Sequence, residues 1–142
     1  MDEHILVPFD GSPLSERALK WALDADEDAD VTALYVIDPV VALYESEIKG
    51  LPAAERWAER MDERAADCCA DAEAIAATVD REIRTTVIVG RPAREILQFV
   101  VAHDVDHVVM GSHGRRGVSR FILGSVAESV LRRSPVPVTV VR

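Results

Sequence analysis

Short apolar runs alternate with segments of helical period from one end of this sequence to the other, and few folds accommodate that alternation. The runs fall at Ile5–Phe9, Val31–Ile37, Glu82–Val89, His107–Met110 and Pro135–Val141. A helix-like stretch follows each of the first four. Strand and helix in this repeated alternation imply an α/β chain whose strands lie parallel in a doubly wound sheet, joined by right-handed crossovers. No internal repeat, linker or low-complexity segment breaks the pattern, so residues 1–142 are expected to form one domain.

Local chemistry marks the ends of these segments. Asp10-Gly11-Ser12-Pro13 reads as a turn, with Ser12 capping a helix that starts at Pro13 and buries Leu14, Ala18, Trp21, Ala22 and Ala25. Pro8 cannot donate to a ladder and is placed at the fraying end of the first strand, on the lip of a cleft. The acidic run Asp24–Asp30 lacks the glycine and terminal glutamate of an EF-hand loop and reads as a solvated turn. Asp38 to Gly50, with Pro39 and mixed polarity, reads as a loop able to fold over a ligand. A long helix is expected over Ala53–Val79, where Trp57, Met61, Ala65, Cys68, Ala72, Ile75 and Val79 make a core stripe rather than a base-stacking platform. Cys68 and Cys69 are adjacent within it and read as packing residues. Glu82–Val89 alternates as an edge strand with Ile83, Thr85, Val87 and Val89 on one face. Ala93, Ile96, Leu97, Val100 and Val101 form the buried face of the next helix. Pro135 and Pro137 confine the last strand to a sheet edge.

The stretch Met110–Ala127, MGSHGRRGVSRFILGSVA, is where chemistry concentrates. Gly111 and Gly114 leave backbone N–H groups unshielded after a buried strand, and Gly124-Ser125 brings a hydroxyl and further N–H groups to the positive end of a helix. That is the layout of a phosphate cradle. No Gly-Lys-Ser/Thr closes it, and GSHGRRG does not fit G-x-G-x-x-G, so neither the Walker nor the dinucleotide pattern is present. His113 within the loop is either a phosphate donor or a solvated residue.

Charge divides the chain. The total is −9, yet residues 111–142 carry six arginines against Glu128 alone, a net +5 that leaves −14 on the first 110 residues. Arg115, Arg116 and Arg120 beside the glycine loop form either a solvated face or an anion-attracting one. Overall acidity argues against nucleic-acid binding. Only two of the basic residues are lysines, Lys20 and Lys49, and abundant acid with little lysine resembles proteins of halophilic archaea. No apolar run approaches the ~20 residues of a membrane span. The opening Met1-Asp2-Glu3-His4 shows no export signal, so a cytoplasmic location is expected.

The spacing Gly111-x2-Gly114-x9-Gly124-Ser125 resembles the ATP-binding signature of the universal stress protein family. Val7-Pro8-Phe9-Asp10-Gly11-Ser12 is similar to the family's opening strand and loop, Val36-Ile37-Asp38 to its second strand end, and Pro137–Val141 to its closing strand. The resemblance implies a Rossmann-like, adenine nucleotide alpha hydrolase-like sheet of five strands in the order 3-2-1-4-5. That order sets the first and fourth strands side by side at the reversal point, where open sheets bind ligands. It further implies an adenine-contacting backbone at Val36, pocket walls at Pro8 and Phe9, and a ribose and phosphate loop spanning Met110, Gly111, Ser112, His113, Gly114, Arg115, Gly124, Ser125, Val126 and Ala127. Ala127 stands where some relatives carry a hydroxyl. Asp10 either accepts from ribose or holds a metal, or closes an Asx turn toward Ser12.

The expected ligand is ATP, with ADP or AMP as alternatives and Mg²⁺ as companion. The expected role is a nucleotide-responsive regulatory or protective module in stress response. A slow ATP hydrolase or a phosphoryl- or adenylyl-transferring enzyme in the same cleft is the alternative, although the HxGH signature of related nucleotidyltransferases is missing from Ser112-His113-Gly114-Arg115. A homodimer through the edge Val136–Val141 is also expected.

Overall fold

A computed structural model describes residues 2–40, 51–114 and 123–142. Most of the loop expected over Asp38 to Gly50, and Arg115, Arg116 and Arg120, lie outside these described residues. The strands are β1 (His4–Pro8), β2 (Asp30–Ile37), β3 (Arg84–Val89), β4 (His107–Gly111) and β5 (Val138–Val141). Among the described residues the helices are α1 (Pro13–Ala25), α2 (Leu51–Ala77), α3 (Pro92–Ala102) and α4 (Ser125–Arg133). All pairings are parallel and the sheet order is β3-β2-β1-β4-β5. The expected topology is therefore the observed one, with β3 and the proline-flanked β5 at the edges.

Period-two alternation distributes the strand side chains between two cores. Ile5, Val7, Val31, Ala33 and Val109 face α1 and α2, while Leu6, Leu34, Val108 and Met110 face α3 and α4. Leu6 is fully buried, and its replacement by alanine would cost about 2–5 kcal/mol through lost transfer energy and a residual cavity. Helices cover both faces of the central strands, which is why those strands read as unbroken apolar runs.

The helix starts follow their caps. Ser12 Oγ accepts from Ser15 N–H at 3.3 Å with Pro13 in the first turn, as expected, and Ser15 Oγ donates to Ser12 O at 2.9 Å. The buried face of α1 is rotated from the expected one: Ser15, Ala18, Leu19, Ala22 and Leu23 are buried, whereas Trp21 is 42% exposed and Ala25 is exposed. Small residues let this helix lie close to the sheet; a β-carbon on Gly111 would come within 2.8 Å of Leu14 Cβ. Trp21, about two turns further along, packs edge-on against His107 at 6.1 Å between ring centroids.

Three further sets of apolar residues are exposed for one reason, incomplete cover at the margins. Val87 and Val89 on the edge strand are 41% and 62% exposed, and Val79 lies past the end of α2 and is 47% exposed. On α3 the buried set is Ile96, Phe99 and Val100, and Val101 is 70% exposed.

The acidic turn after α1 is held by one cation. Arg81 Nη1 donates to Leu23 O at 2.9 Å and Asp26 O at 3.3 Å, and its Nη2 donates to Ala29 O at 2.7 Å. Asp26 Oδ1 accepts from Asp28 N–H at 2.9 Å, closing the turn itself. Among the described residues no cluster of acidic, histidine or cysteine side chains is arranged to hold a metal ion. Cys68 is buried and Cys69 half-buried, and the two are not joined in a disulfide.

Candidate functional site

β1 and β4 are neighbours whose onward connections leave in opposite directions, so a crevice opens beyond their C-terminal ends. Phe9 N–H donates to Leu34 O at 2.8 Å, one step past the Pro8–Leu34 register pair, and the chain then turns away. Gly11 takes φ 78°, a left-handed conformation that glycine adopts without strain, and Asp10 Oδ1 accepts from Ser12 N–H at 2.9 Å. The Asx turn is thus formed. It engages one carboxylate oxygen, while Oδ2 faces the glycine loop: a β-carbon built on Gly114 would lie 2.6 Å from it.

Backbone groups in a parallel strand point alternately to its two neighbours. Leu34 points to β1 and Ile37 to the β3 side, where its carbonyl accepts from Gly90 N–H at 2.8 Å. Val36 must therefore aim its N–H and C=O toward the β1 side, beyond the end of the β1–β2 ladder. They face the crevice.

The glycine loop closes the opposite wall. Ser112 N–H donates to Val141 O at 2.8 Å, and Ser112 O accepts from Gly124 N–H at 2.6 Å, tying the end of β4 to the start of α4. The Ser112 side chain is only 2% exposed, with Oγ 3.3 Å from His113 Nδ1, so this residue holds the loop rather than lining the crevice. Gly124 occupies the N-cap position of α4 with no side-chain cap, and the first in-helix bond runs from Glu128 N–H to Gly124 O at 2.9 Å. The N–H groups of Ser125, Val126 and Ala127 precede it at the positive end of the helix.

These pieces enclose one cavity of about 560 Å³, within the range of small-molecule sites. Of the residues expected at a site, Pro8, Phe9, Asp10, Val36, Met110, Gly111, His113, Gly114, Gly124, Ser125, Val126 and Ala127 all line it. Ser112 sits behind the wall, and Arg115 lies outside the described residues. The cavity is apolar toward Phe9, Val36 and Met110 and polar toward Asp10, His113 and the α4 N-terminus.

Sequence inspection missed a third wall. Trp57, Met61 and Arg64 project from α2 into the cavity, spaced four and three residues apart on one helical face. Trp57 and Met61 also pack against the core, so the stripe serves both as core and as cavity wall. The missed signal was length: the 27 residues of α2 span about 40 Å, against about 26 Å for an eight-residue strand, so the helix overhangs the sheet. From α3, Pro92 and Ile96 complete the enclosure.

Comparison with known proteins bears on this geometry. The profile of the Universal stress protein family matches residues 1–142. Universal stress protein MJ0531 of Methanocaldococcus jannaschii is 36% identical over 143 residues, covering 97% of this chain and 81% of its own. Protein MJ0577 of the same organism is 30% identical over 161 residues, with 100% and 96% coverage. Its solved structure superposes with a TM-score of 0.82 at 29% identity, covering 99% of this chain and 96% of that one. A universal stress protein family member from Arabidopsis thaliana with AMP bound shares the fold at a TM-score of 0.69 and 18% identity, over 97% and 90% of the two chains.

Proposed function

The chain belongs to the universal stress protein family, and from that premise we propose that its strand-end cavity binds an adenine nucleotide, ATP ahead of ADP or AMP, with occupancy as a regulatory signal in stress response. The supporting observation is convergence: two loops far apart in sequence, Pro8–Ser12 and Gly111–Gly114, meet the bare N-terminus of α4 around one cavity. Adenine fits the apolar end, where Val36 offers a donor and an acceptor in fixed register. Ribose hydroxyls fall toward Asp10. Phosphates take the Gly111–Gly114 and Gly124–Ala127 backbone, with Ser125 supplying a hydroxyl, and His113 and Arg64 positive or hydrogen-bonding reach from the walls. Arg115 belongs to the same proposal by its sequence position.

Mg²⁺ is compatible with this donor set because it commonly takes one carboxylate, several waters and the phosphates themselves. Asp10 is the carboxylate on the cradle, and bound Mg²⁺ would neutralise phosphate charge beside it. An aligned cation is also what an ATP hydrolase requires, so slow hydrolysis is the second interpretation. Calorimetry with Mg²⁺-ATP, ADP and AMP ranks the ligands, and phosphate release separates the roles. Tight binding with turnover far below the ~10 s⁻¹ typical of enzymes is expected; turnover at that level would make the protein an enzyme, and no binding would remove the proposal.

We also propose the expected homodimer. β5 pairs with β4 on one side only and presents half-buried valines, so a second copy can extend the sheet across Val136–Val141. Light scattering should give a dimer for the wild type and a monomer for Val138→Lys.

A further inference from the structure

A second concavity, of about 680 Å³, lies on the outer side of α3 and α4. Its floor is apolar, with Ala93, half-buried Leu97 and the 70% exposed Val101, and its charged lining is Arg91, Arg94 and Arg133. α3 and α4 are both crossovers between parallel strands, so their C-terminal ends lie at the same end of the sheet. Arg133 therefore stands near the Val101 end and Arg91 and Arg94 near the other. Cations flank an apolar centre.

The charges are not satisfied locally. Among the described residues Arg91, Arg94 and Arg133 have no ion-pair partner, whereas adjacent Arg132 is paired with Glu128 at 3.0 Å. In a chain of net −9, three guanidinium groups around one apolar groove, none of them ion-paired among the described residues, mark a place for an anion with an apolar face.

We propose that this groove docks an acidic amphipathic helix of a partner protein. Two helices of like direction leave a furrow into which a third packs by its side-chain ridges. The Arg94, Leu97 and Val101 row recurs at three and four residues, the spacing that meets anchors at i, i+3 or i+4 and i+7 on an incoming helix. From Arg91 to Ala102 the groove is about 16 Å long, or three helical turns. Three arginines fall short of the four to eight basic residues typical of anionic-membrane binding, and a polyanionic nucleic acid would be repelled by the acidic remainder. α3 also connects the two sites, because Pro92 and Ile96 line the strand-end cavity while Arg94 and Leu97 line the groove. The docking proposal does not depend on what that cavity binds.

The test uses the full chain and a fluorescein-labelled synthetic helix of about five turns, with leucines at i, i+3, i+4 and i+7, glutamates flanking them and alanines elsewhere. Anisotropy should show saturable binding that weakens at least about tenfold in Arg94→Glu and in Val101→Glu, a loss of about 1.4 kcal/mol or more. Both positions are exposed, so unchanged circular dichroism is expected. The double variant Arg94→Glu, Arg133→Glu should bind the same helix with lysines for glutamates. No saturable binding to the wild type, or equal binding by the variants, would overturn the proposal. So would co-sedimentation of the wild type with phosphatidylserine vesicles when the helix does not bind, or self-association that Val101→Glu abolishes without peptide binding; these outcomes would make the groove a membrane or self-association surface.

Discussion

In the proposed nucleotide site, a single β-carbon would separate a turn from an anion cradle at Gly114. That carbon would sit 2.6 Å from Asp10 Oδ2, and Asp10 cannot retreat freely because Oδ1 is engaged by Ser12 N–H. Gly114→Asp would add both this collision and a second negative charge facing the phosphates, so ATP binding should be lost. Melting without nucleotide should fall only modestly beside the loss of binding, since Gly114 is exposed and the collision is with the end of one side chain. Gly124 differs, although the sequence treats the two alike. A β-carbon there meets Ser112 O at 3.0 Å and His113 Cα at 3.2 Å, both backbone atoms, so Gly124→Val should disturb the loop as well as the ligand. Ser125→Ala removes only a hydroxyl at an exposed position and should weaken ATP by about 1–2 kcal/mol in calorimetry, the scale of a hydrogen bond to a charged group. Trp57 offers an optical check, because the chain has two tryptophans and only this one lines the cavity. Saturating ATP should change the fluorescence, and Trp57→Phe should abolish the change while leaving the Trp21 emission. A ligand-dependent signal that survives in Trp57→Phe would move the base away from α2. Asp10 shows what residue-level inspection can and cannot give: both of its candidate roles were visible in DGS, but only coordinates assign the turn to Oδ1 and aim Oδ2 at the cradle.

Secondary elements were legible where local chemistry and burial agree. β1 and β4 are apolar on both faces because helices cover both, and Ser12-Pro13 starts α1 through a cap that is purely local. The unreadable parts depend on neighbours distant in sequence. The buried face of α1 is set by its packing against β4, the exposure of Val87 and Val89 by their edge position, and the cavity face of α2 by its overhang. Arg81 is another such case, since nothing between residues 23 and 81 of the sequence announces their contact. Its guanidinium forks across three carbonyls of the α1–β2 turn, satisfying helix-end acceptors that would otherwise compete for water. Arg81→Ala should lower the unfolding free energy by about 2–3 kcal/mol, read as a fall in urea midpoint with an unchanged slope. Arg81→Lys should recover only part, because an ammonium lacks the planar fork. Full stability in Arg81→Ala would show that solvent serves these carbonyls equally well.

Fold and charge answer to different rules, and the acidic majority of the chain shows it. Buried apolar residues hold the sheet together, while a charge of −14 on residues 1–110 of a chain totalling −9 raises the free energy of the compact state through self-repulsion. Local pairing relieves little of this around the α1–β2 turn. Asp24, Glu27, Asp28 and Asp30 are all exposed there, and Arg81 spends its donors on carbonyls instead of carboxylates. The Debye length shortens from ~10 Å at 0.1 M to ~3 Å at 1 M salt, so added KCl should screen these neighbours from one another. Melting temperature is expected to rise from low to molar KCl. A general strengthening of apolar burial would give the same sign, so a variant must separate the two causes. Asp24→Lys with Asp28→Lys removes like-charge neighbours at exposed positions, and should raise the melting temperature at low salt and flatten its dependence on KCl. Screening is excluded as the cause if the wild-type curve is flat or falling, or if the variant keeps the full wild-type slope.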